Sequence, residues 1–174
     1  MKINGTVWRY DQQVRATDLV PGRYDYIKLT DWTECSTHVL EDLDPEFLRN
    51  VRPGDLIVGG PGFGAGHAHY FQQAFEGPRW LGVGGYLADG FDPIFVLSAI
   101  GAGMPCWTVP GILDFVAHRD EVTCDLGVGT VVNHTAGASR EFRPVAREVI
   151  DVLEAGGLDE LTVRRLGLDA GATA

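Results

Sequence analysis

The sequence predicts a mixed α/β domain with a partly parallel sheet. Strand-like and helix-like segments alternate through the middle of the chain, which is the order that βαβ units require, and strand-like segments dominate both flanks. The length of 174 residues, of which 45% are hydrophobic and 22% charged, is sufficient for one sizeable hydrophobic core. We therefore expect a single domain over residues 1–166, followed by a disordered tail over residues 167–174.

The strands are predicted from short runs of β-branched and aromatic residues bounded by turn residues. The first run contains Val7 and Trp8, and the last two runs are separated by residues 126–129, which favour a hairpin-like connection. Pro21-Gly22 marks the stretch 14–26 as a loop with short extended pieces. In chain order, the predicted strands are 3–10, 56–58, 80–85, 105–109, 121–125 and 130–134.

The helices are predicted from apolar residues at helical spacing and from residues that begin or end helices. Asp44-Pro45 places a good N-cap residue before a proline at the first helical position. Gly77-Pro78 is expected to stop the helix before it, and Gly156-Gly157 to end the last one. In chain order, the predicted helices are 35–43, 45–51, 67–75, 91–102, 112–117 and 145–155.

Charge and composition exclude several classes of function. Fourteen Lys and Arg against 24 Asp and Glu leave a net charge of −10, whereas nucleic-acid binding requires a basic patch. No apolar run approaches the roughly 20 residues of a membrane span, and the N-terminus lacks the apolar segment of a secretory signal. Three widely spaced cysteines make a disulfide framework improbable. We expect a cytoplasmic protein that binds neither nucleic acid nor membrane.

The most unusual segment is the glycine-rich stretch 59–66, which lies between a predicted strand and a predicted helix. Glycines allow the backbone N–H groups to approach a ligand, and the start of a helix attracts anions. The stretch has neither the Lys-Ser/Thr of a P-loop nor the spacing of a dinucleotide fingerprint. It predicts an anion site made by the N–H groups of Gly64, Ala65 and Gly66; the alternative is a tight turn that binds nothing.

Two histidines, His67 and His69, follow the glycine-rich stretch. A helix N-terminus favours the neutral form of an imidazole, which makes His67 a candidate general base. An H-x-H pair could also bind zinc, but residues two apart on a helix point in different directions. Both could equally be ordinary surface or core histidines. We predict no metal site in this chain.

Arg23, in the loop after Pro21-Gly22, is a candidate ligand for a carboxylate. An arginine side chain can form a bidentate bond with a carboxylate, although a loop arginine is more often solvated or ion-paired. Arg15 has the same ambiguity. From the residues alone, the chain is interpreted as a binder of a small carboxylate that uses neither metal nor nucleotide.

Several segments, in the same order, resemble the small subunit of 3-isopropylmalate dehydratase, which is the aconitase swivel domain. The similarity covers roughly residues 3–160, and the stretches EDLDPEF and RPGDLIVGG are its most specific parts. The similar segments are 5–10, 17–24, 41–47, 51–59, 62–66, 103–105 and 153–158.

This resemblance implies a swivelling β/β/α domain of the aconitase C-terminal or isopropylmalate dehydratase small-subunit type. It implies a hydro-lyase or isomerase that acts on hydroxy-di- or tricarboxylates. A large subunit would carry a [4Fe–4S] cluster, and this chain would bind no cofactor itself. In the family, the small subunit closes over the cluster and supplies a serine base and arginines from a loop written G-x-G-S-S-R-E-H.

The sequence departs from this family pattern at the positions of the catalytic and substrate-binding residues. Alignment on the glycines puts His67 in place of the catalytic serine and His69 in place of the substrate-binding arginine. The later S-F-A-R segment becomes Gly90-Phe91-Asp92-Pro93, so a second arginine is lost. The resemblance therefore implies a divergent member whose substrate has fewer carboxylates.

Three interpretations remain open. In the leading one, the chain is a divergent hydro-lyase or isomerase subunit that acts on a small hydroxy-carboxylate beside an iron–sulfur large subunit. His67 is then the acid/base, His69 a substrate contact or second acid, and Arg23 and the N–H groups of residues 64–66 bind the anion. In the second, the chain is a cluster-free enzyme on its own, as a homo-oligomer. In the third, it is a non-catalytic binding or regulatory subunit.

Overall fold

A seven-stranded mixed sheet organises the chain in the computed structural model, which describes residues 1–24, 32–66 and 72–168. Its strand order is β4-β3-β2-β1-β5-β6-β7. The strands are β1 (Lys2–Arg9), β2 (Leu56–Gly59), β3 (Gly85–Ala88), β4 (Cys106–Thr108), β5 (Glu121–Asp125), β6 (Thr130–Asn133) and β7 (Ala138–Glu141). The helices are α1 (Ala16–Leu19), α2 (Trp32–Ser36), α3 (Phe47–Asn50), α4 (Gln73–Trp80), α5 (Pro93–Gly101), α6 (Ile112–Phe115), α7 (Arg147–Ala155) and α8 (Leu158–Leu166).

Strand β1 joins a parallel half of the sheet to an antiparallel half. Its end, from Val7 to Arg9, pairs in parallel with β2, and its beginning, from Lys2 to Thr6, pairs antiparallel with β5. Strands β2, β3 and β4 continue the parallel half, whereas β5, β6 and β7 form the antiparallel half. The predicted mixed α/β class with a partly parallel sheet is therefore confirmed.

The two faces of the parallel strands belong to two different buried clusters, because successive side chains of a strand point to opposite faces. The first cluster contains Trp8, Ile57, Tyr86 and Cys106 together with residues of α1, α2, α4 and α5. The second contains Val7, Leu56, Leu87 and Trp107 together with residues of β5, β6, α6 and α7. Burial on both faces explains why β2 reads as a continuous apolar run in the sequence.

Helix α4 corrects two predictions from the sequence. The helix passes through Gly77 and Pro78 and ends at Trp80, so Gly77-Pro78 does not stop it. The predicted strand 80–85 is likewise wrong except at its last residue, because Trp80 closes the helix and β3 begins only at Gly85. Proline is tolerated here because the carbonyl group four residues earlier, on Ala74, accepts a hydrogen bond from the Tyr86 hydroxyl instead.

Other boundaries also differ from the sequence predictions. The segment 35–43 is helical only as far as Ser36, and turns follow. Asp44 does not cap α3, which begins at Phe47, and its carboxylate instead accepts a hydrogen bond from the Tyr10 hydroxyl at 3.0 Å. The loop 14–26 contains α1 and a 3₁₀ turn at Gly22–Tyr24 within its described part. Strand β7 and helix α8 were not predicted.

The first part of the predicted helix 67–75, residues 67–71, lies outside the described residues. The remaining predicted elements are present with boundaries shifted by a few residues. Strand β5 coincides with its prediction, and α5 starts where Asp92 caps it with hydrogen bonds from the N–H groups of Ile94 and Phe95. Most of the predicted tail lies outside the described residues, so the division into domain and tail stays a prediction. In the part of the chain that the structure describes, no helix is both long and apolar enough to cross a membrane.

Candidate functional site

Three loops meet at the carboxyl edge of the parallel strands. The loop after β2, the glycine-rich stretch, lies between the loops that follow β1 and β3. The Gly64 N–H group donates to the Val14 carbonyl, in the loop after β1, at 2.7 Å. The Phe63 N–H group donates to the Gly90 carbonyl, in the loop after β3, at 3.0 Å. In return, the Asp92 N–H donates to the Phe63 carbonyl at 2.8 Å. The carboxyl edge of parallel strands is where open α/β sheets bind their ligands.

Glycine is required in this stretch by both conformation and space. Gly62, Gly64 and Gly66 have φ values of +78°, +80° and +76°, in the left-handed region that side chains disfavour. A Cβ at Gly64 would overlap the ring of Phe95, which belongs to the buried core. The loop is therefore fixed on the sheet by a turn that only glycine fits.

The amides predicted to bind an anion are not equivalent. The N–H group of Gly64 donates to Val14, and that of Ala65 donates to the Gly62 carbonyl at 3.2 Å. An anion could take these two donors only if the loop opened. Gly66 differs, because it is exposed and a Cβ placed there would meet nothing within 4 Å. Of the three, Gly66 offers the most accessible backbone to a ligand.

His67 and His69 lie outside the described residues, which resume at Gln72. Their roles as general base and substrate contact therefore stay predictions. In the sequence, His67 directly follows Gly66, and His69 comes two residues later.

A cavity of about 400 Å³ is lined largely by the segment that follows β1, and this segment bonds to the glycine-rich loop. The bond runs from the N–H group of Ala16, next to the cavity-lining Arg15, to the Ala65 carbonyl at 3.2 Å. The structure thus brings Arg15 and Arg23, two arginines whose roles the sequence left open, to the same cavity. The lining residues are Arg15, Thr17, Asp18, Pro21, Gly22, Arg23, Asp42 and Leu43.

Both arginines in the cavity are already paired with carboxylates. Arg15 contacts Asp18 through its Nη2 at 3.0 Å, and Arg23 bonds to Asp42 and Glu41. The Arg23 guanidinium lowers the pKa of the Asp42 carboxyl by hydrogen bonding to its charged form. A substrate carboxylate could therefore bind Arg23 only by replacing one of these partners, and the acidic lining favours a ligand with little negative charge.

The described residues do not supply a metal centre. Among them, no three His, Cys, Asp or Glu side chains come together as ligands would. All three cysteines are buried, and burial raises the pKa of Cys35 and of Cys124 to about 12, which keeps both thiols protonated. His38, one helical turn after Cys35, bonds to Glu41 at 2.8 Å and stacks on the ring of Tyr24.

Sequence reasoning missed the acidic residues of the cavity. Asp42 and Glu41 were noted only as part of the stretch EDLDPEF, and their pairing with Arg23 spans 18 or 19 residues. Asp18, which lies three residues after Arg15, could have been found from the spacing that allows an ion pair across one helical turn.

Similarity to known proteins extends over nearly the whole chain, although no family model matches it. The chain is 32% identical over 169 residues to the 3-isopropylmalate dehydratase small subunit of Thermodesulfovibrio yellowstonii, covering 97% of this chain and 98% of that protein. It is 33% identical to the isopropylmalate/citramalate isomerase small subunit of Methanocaldococcus jannaschii, covering 90% of each chain. It is 36% identical to the methanogen homoaconitase small subunit of Methanothermobacter thermautotrophicus, covering 90% of this chain and 88% of that one.

The fold agrees with a solved structure. The crystal structure of a 3-isopropylmalate dehydratase chain from Methanocaldococcus jannaschii superposes with a TM-score of 0.85 at 26% identity. The match covers 95% of this chain and 96% of that one. The expected aconitase swivel-type domain is therefore confirmed.

Proposed function

This chain belongs to the family of 3-isopropylmalate dehydratase small subunits, and from that premise we propose that it is the small subunit of a hydro-lyase or isomerase acting on a small hydroxy-carboxylate. Its relatives are small subunits of dehydratases and isomerases, so its activity belongs to a complex. One observation supports the site in particular: at the carboxyl edge of the parallel strands, the glycine-rich loop bonds to the segment that lines the arginine-containing cavity.

His67 is proposed as the acid/base in place of the family serine. Hydration and dehydration of a hydroxy acid move a proton at the carbon beside a carboxylate while hydroxide leaves or adds at the neighbouring carbon. A neutral imidazole accepts that proton near neutral pH more readily than a serine hydroxyl does. His69, two residues later, is proposed as a substrate contact or second acid.

The substrate anion is proposed to lie between Gly66 and Arg23. The exposed Gly66 provides accessible backbone, and Arg23 provides a guanidinium at the cavity wall. Gly64 and Ala65 then contribute by holding the loop rather than by donating to the substrate, unless the loop opens. Because three carboxylates already surround the two arginines, this arrangement favours a substrate with few carboxylates.

The cluster is proposed to reside on a large subunit. The described residues of this chain do not come together as a metal site. The chain's own contribution is proposed to be substrate binding and proton transfer. A [4Fe–4S] cluster on the partner would hold the substrate's hydroxyl and carboxylate.

Coexpression with the isopropylmalate dehydratase large subunit of the same organism tests this proposal. We expect an iron-containing brown complex that converts isopropylmalate or citramalate to an unsaturated acid, followed by ultraviolet absorbance. A colourless homo-oligomer with turnover would instead support a cluster-free enzyme. Absence of turnover, with no change of thermal stability on adding either acid, would support a non-catalytic subunit.

A further inference from the structure

Helix α5 presents an apolar face to solvent. Its nine residues, Pro93–Gly101, include no charged side chain, although 22% of the chain's residues are charged. Phe95 and Ala99 are fully buried and fix the helix on the core, whereas Ile94 is 50% and Leu97 75% exposed. Ile94 and Leu97 are three residues apart, so they lie on the same side of the helix. We call this surface, with the exposed Pro93, the α5 face.

The α5 face adjoins the candidate site. The loop that leads into α5 bonds to the glycine-rich stretch at Phe63 through the Gly90 carbonyl and the Asp92 N–H. The Asp92 carboxylate then fixes the first turn of the helix by accepting hydrogen bonds from Ile94 at 2.9 Å and Phe95 at 3.1 Å. A partner that covers the carboxyl edge of the sheet therefore meets the α5 face next to the glycine-rich loop.

We propose that the α5 face is a contact surface for the large subunit, an inference that rests on the proposed function. Exposed apolar residues beside a site mark interaction surfaces, and the centre of an interface is depleted of charged residues. The alternative occupant, a second copy of this chain, is disfavoured because two chains that each carry −10 repel one another. The position of the α5 face beside the glycine-rich loop favours a different subunit that completes the active site.

Leu97 is the residue to substitute because it is the more exposed of the two. Leu97→Asp and Leu97→Lys place opposite charges at the same point, so an apolar contact predicts that both weaken binding. Val128→Asp is the matched control: Val128 is 66% exposed in the turn between β5 and β6, in the antiparallel half of the sheet. Circular dichroism melting of each isolated variant checks that its fold is unchanged, and Ile94→Lys replaces a variant that fails this check.

The measurement is the dissociation constant for the isopropylmalate dehydratase large subunit of the same organism. We expect both Leu97 variants to bind at least tenfold more weakly and Val128→Asp to bind within twofold of the wild type. Wild-type affinity in both Leu97 variants would overturn the inference while leaving the proposed function intact. A dimer of the isolated chain that Leu97→Asp dissociates, with unchanged affinity for the large subunit, would assign the face to self-association. No binding by the wild-type chain would instead overturn the proposed function itself.

Discussion

The hydroxyl group of Tyr86 donates a hydrogen bond to the carbonyl oxygen of Ala74 at 2.6 Å, across the interface between β3 and α4. Ala74 lies four residues before Pro78, which has no N–H group to donate within the helix. Tyr86 is fully buried, and this burial raises the pKa of its hydroxyl, which therefore stays neutral and able to donate. The strand thus supplies the donor that the helix lacks.

Tyr86→Phe should lower the free energy of unfolding by about 1–3 kcal/mol, because it leaves a buried carbonyl without a donor. Pro78→Ala restores the backbone N–H group that, in a regular helix, donates to the Ala74 carbonyl. The loss caused by Tyr86→Phe should then be smaller in the Pro78→Ala background than in the wild type. Denaturant unfolding of the four proteins measures this coupling, and equal losses in both backgrounds would contradict it.

Asp55→Asn should destabilise the protein by about 2–4 kcal/mol, because Asp55 is only 2% exposed and its carboxylate accepts three N–H groups. The donors are the backbone N–H groups of Thr6 and Arg52 and the indole Nε1 of Trp8, at 2.9–3.0 Å. An amide group would turn an NH₂ toward at least one of them. Asp11→Asn, at an exposed ion pair with Arg9, is the control and should cost less than about 1 kcal/mol. Similar losses in the two variants would refute this account.

Glu76→Gln should change how stability depends on pH. Burial raises the pKa of Glu76 above its ordinary value despite the nearby Arg79. The folded state therefore binds this proton more tightly than the unfolded state, and wild-type stability falls as the pH rises from below 4.5 through the folded pKa. Gln cannot ionise, so the melting temperature of the variant relative to the wild type should be higher at pH 7 than at pH 4. A difference that does not vary between these pH values would exclude the effect.

His67→Ala should lower kcat by about a hundredfold or more in the assembled enzyme if His67 is the general base. The wild-type pH profile of kcat/KM should fall below about pH 6.5, where an ordinary imidazole becomes protonated and can no longer accept a proton. His134→Ala is the control, because His134 follows β6 in the antiparallel half and bonds to Thr123. Full activity of the His67 variant would eliminate the proposed base.

Arg23→Gln should raise KM about tenfold or more with a smaller effect on kcat, because it removes a charged donor from the cavity together with the ion pairs to Asp42 and Glu41. Arg49→Gln removes another exposed arginine, which pairs with Glu46, and it should leave KM unchanged. Steady-state kinetics of both variants in the complex separates the two parameters. An unchanged KM in the Arg23 variant would leave Arg23 with a structural role only.

The sequence predicted those elements whose determinants are local. Asp92-Pro93 marks the start of α5 because a short acidic side chain can accept bonds from the first helical N–H groups and proline suits the first turn. Strand β5 alternates buried and less buried residues, and its boundaries were predicted correctly. Strand β7 escaped prediction because its sequence, ASRE, shows no apolar alternation and owes its conformation to pairing with β6.

The sequence predicted where the candidate site lies in the chain, but not which hydrogen-bond and ion-pair partners its residues have. Glycines in the left-handed region require a turn between β2 and α4, and the family resemblance assigned that turn to the substrate. Which amides face a ligand depends on carbonyl groups far along the chain, such as that of Val14 for Gly64. The partners of Arg23 are likewise distant in sequence, so no local pattern could assign them.

The sequence by itself determined the alternation of strands and helices in the middle of the chain, the acidic balance of charge and the turn that only glycine can form. Each of these follows from residue type and short-range backbone preference, which act over a few neighbouring positions. Only the tertiary structure decided that α4 continues through Pro78, that the N–H groups of Gly64 and Ala65 are used within the fold, and that Arg15 and Arg23 line one cavity. The physical reason is that hydrogen bonds and ion pairs join whichever groups packing brings together, whatever their separation along the chain.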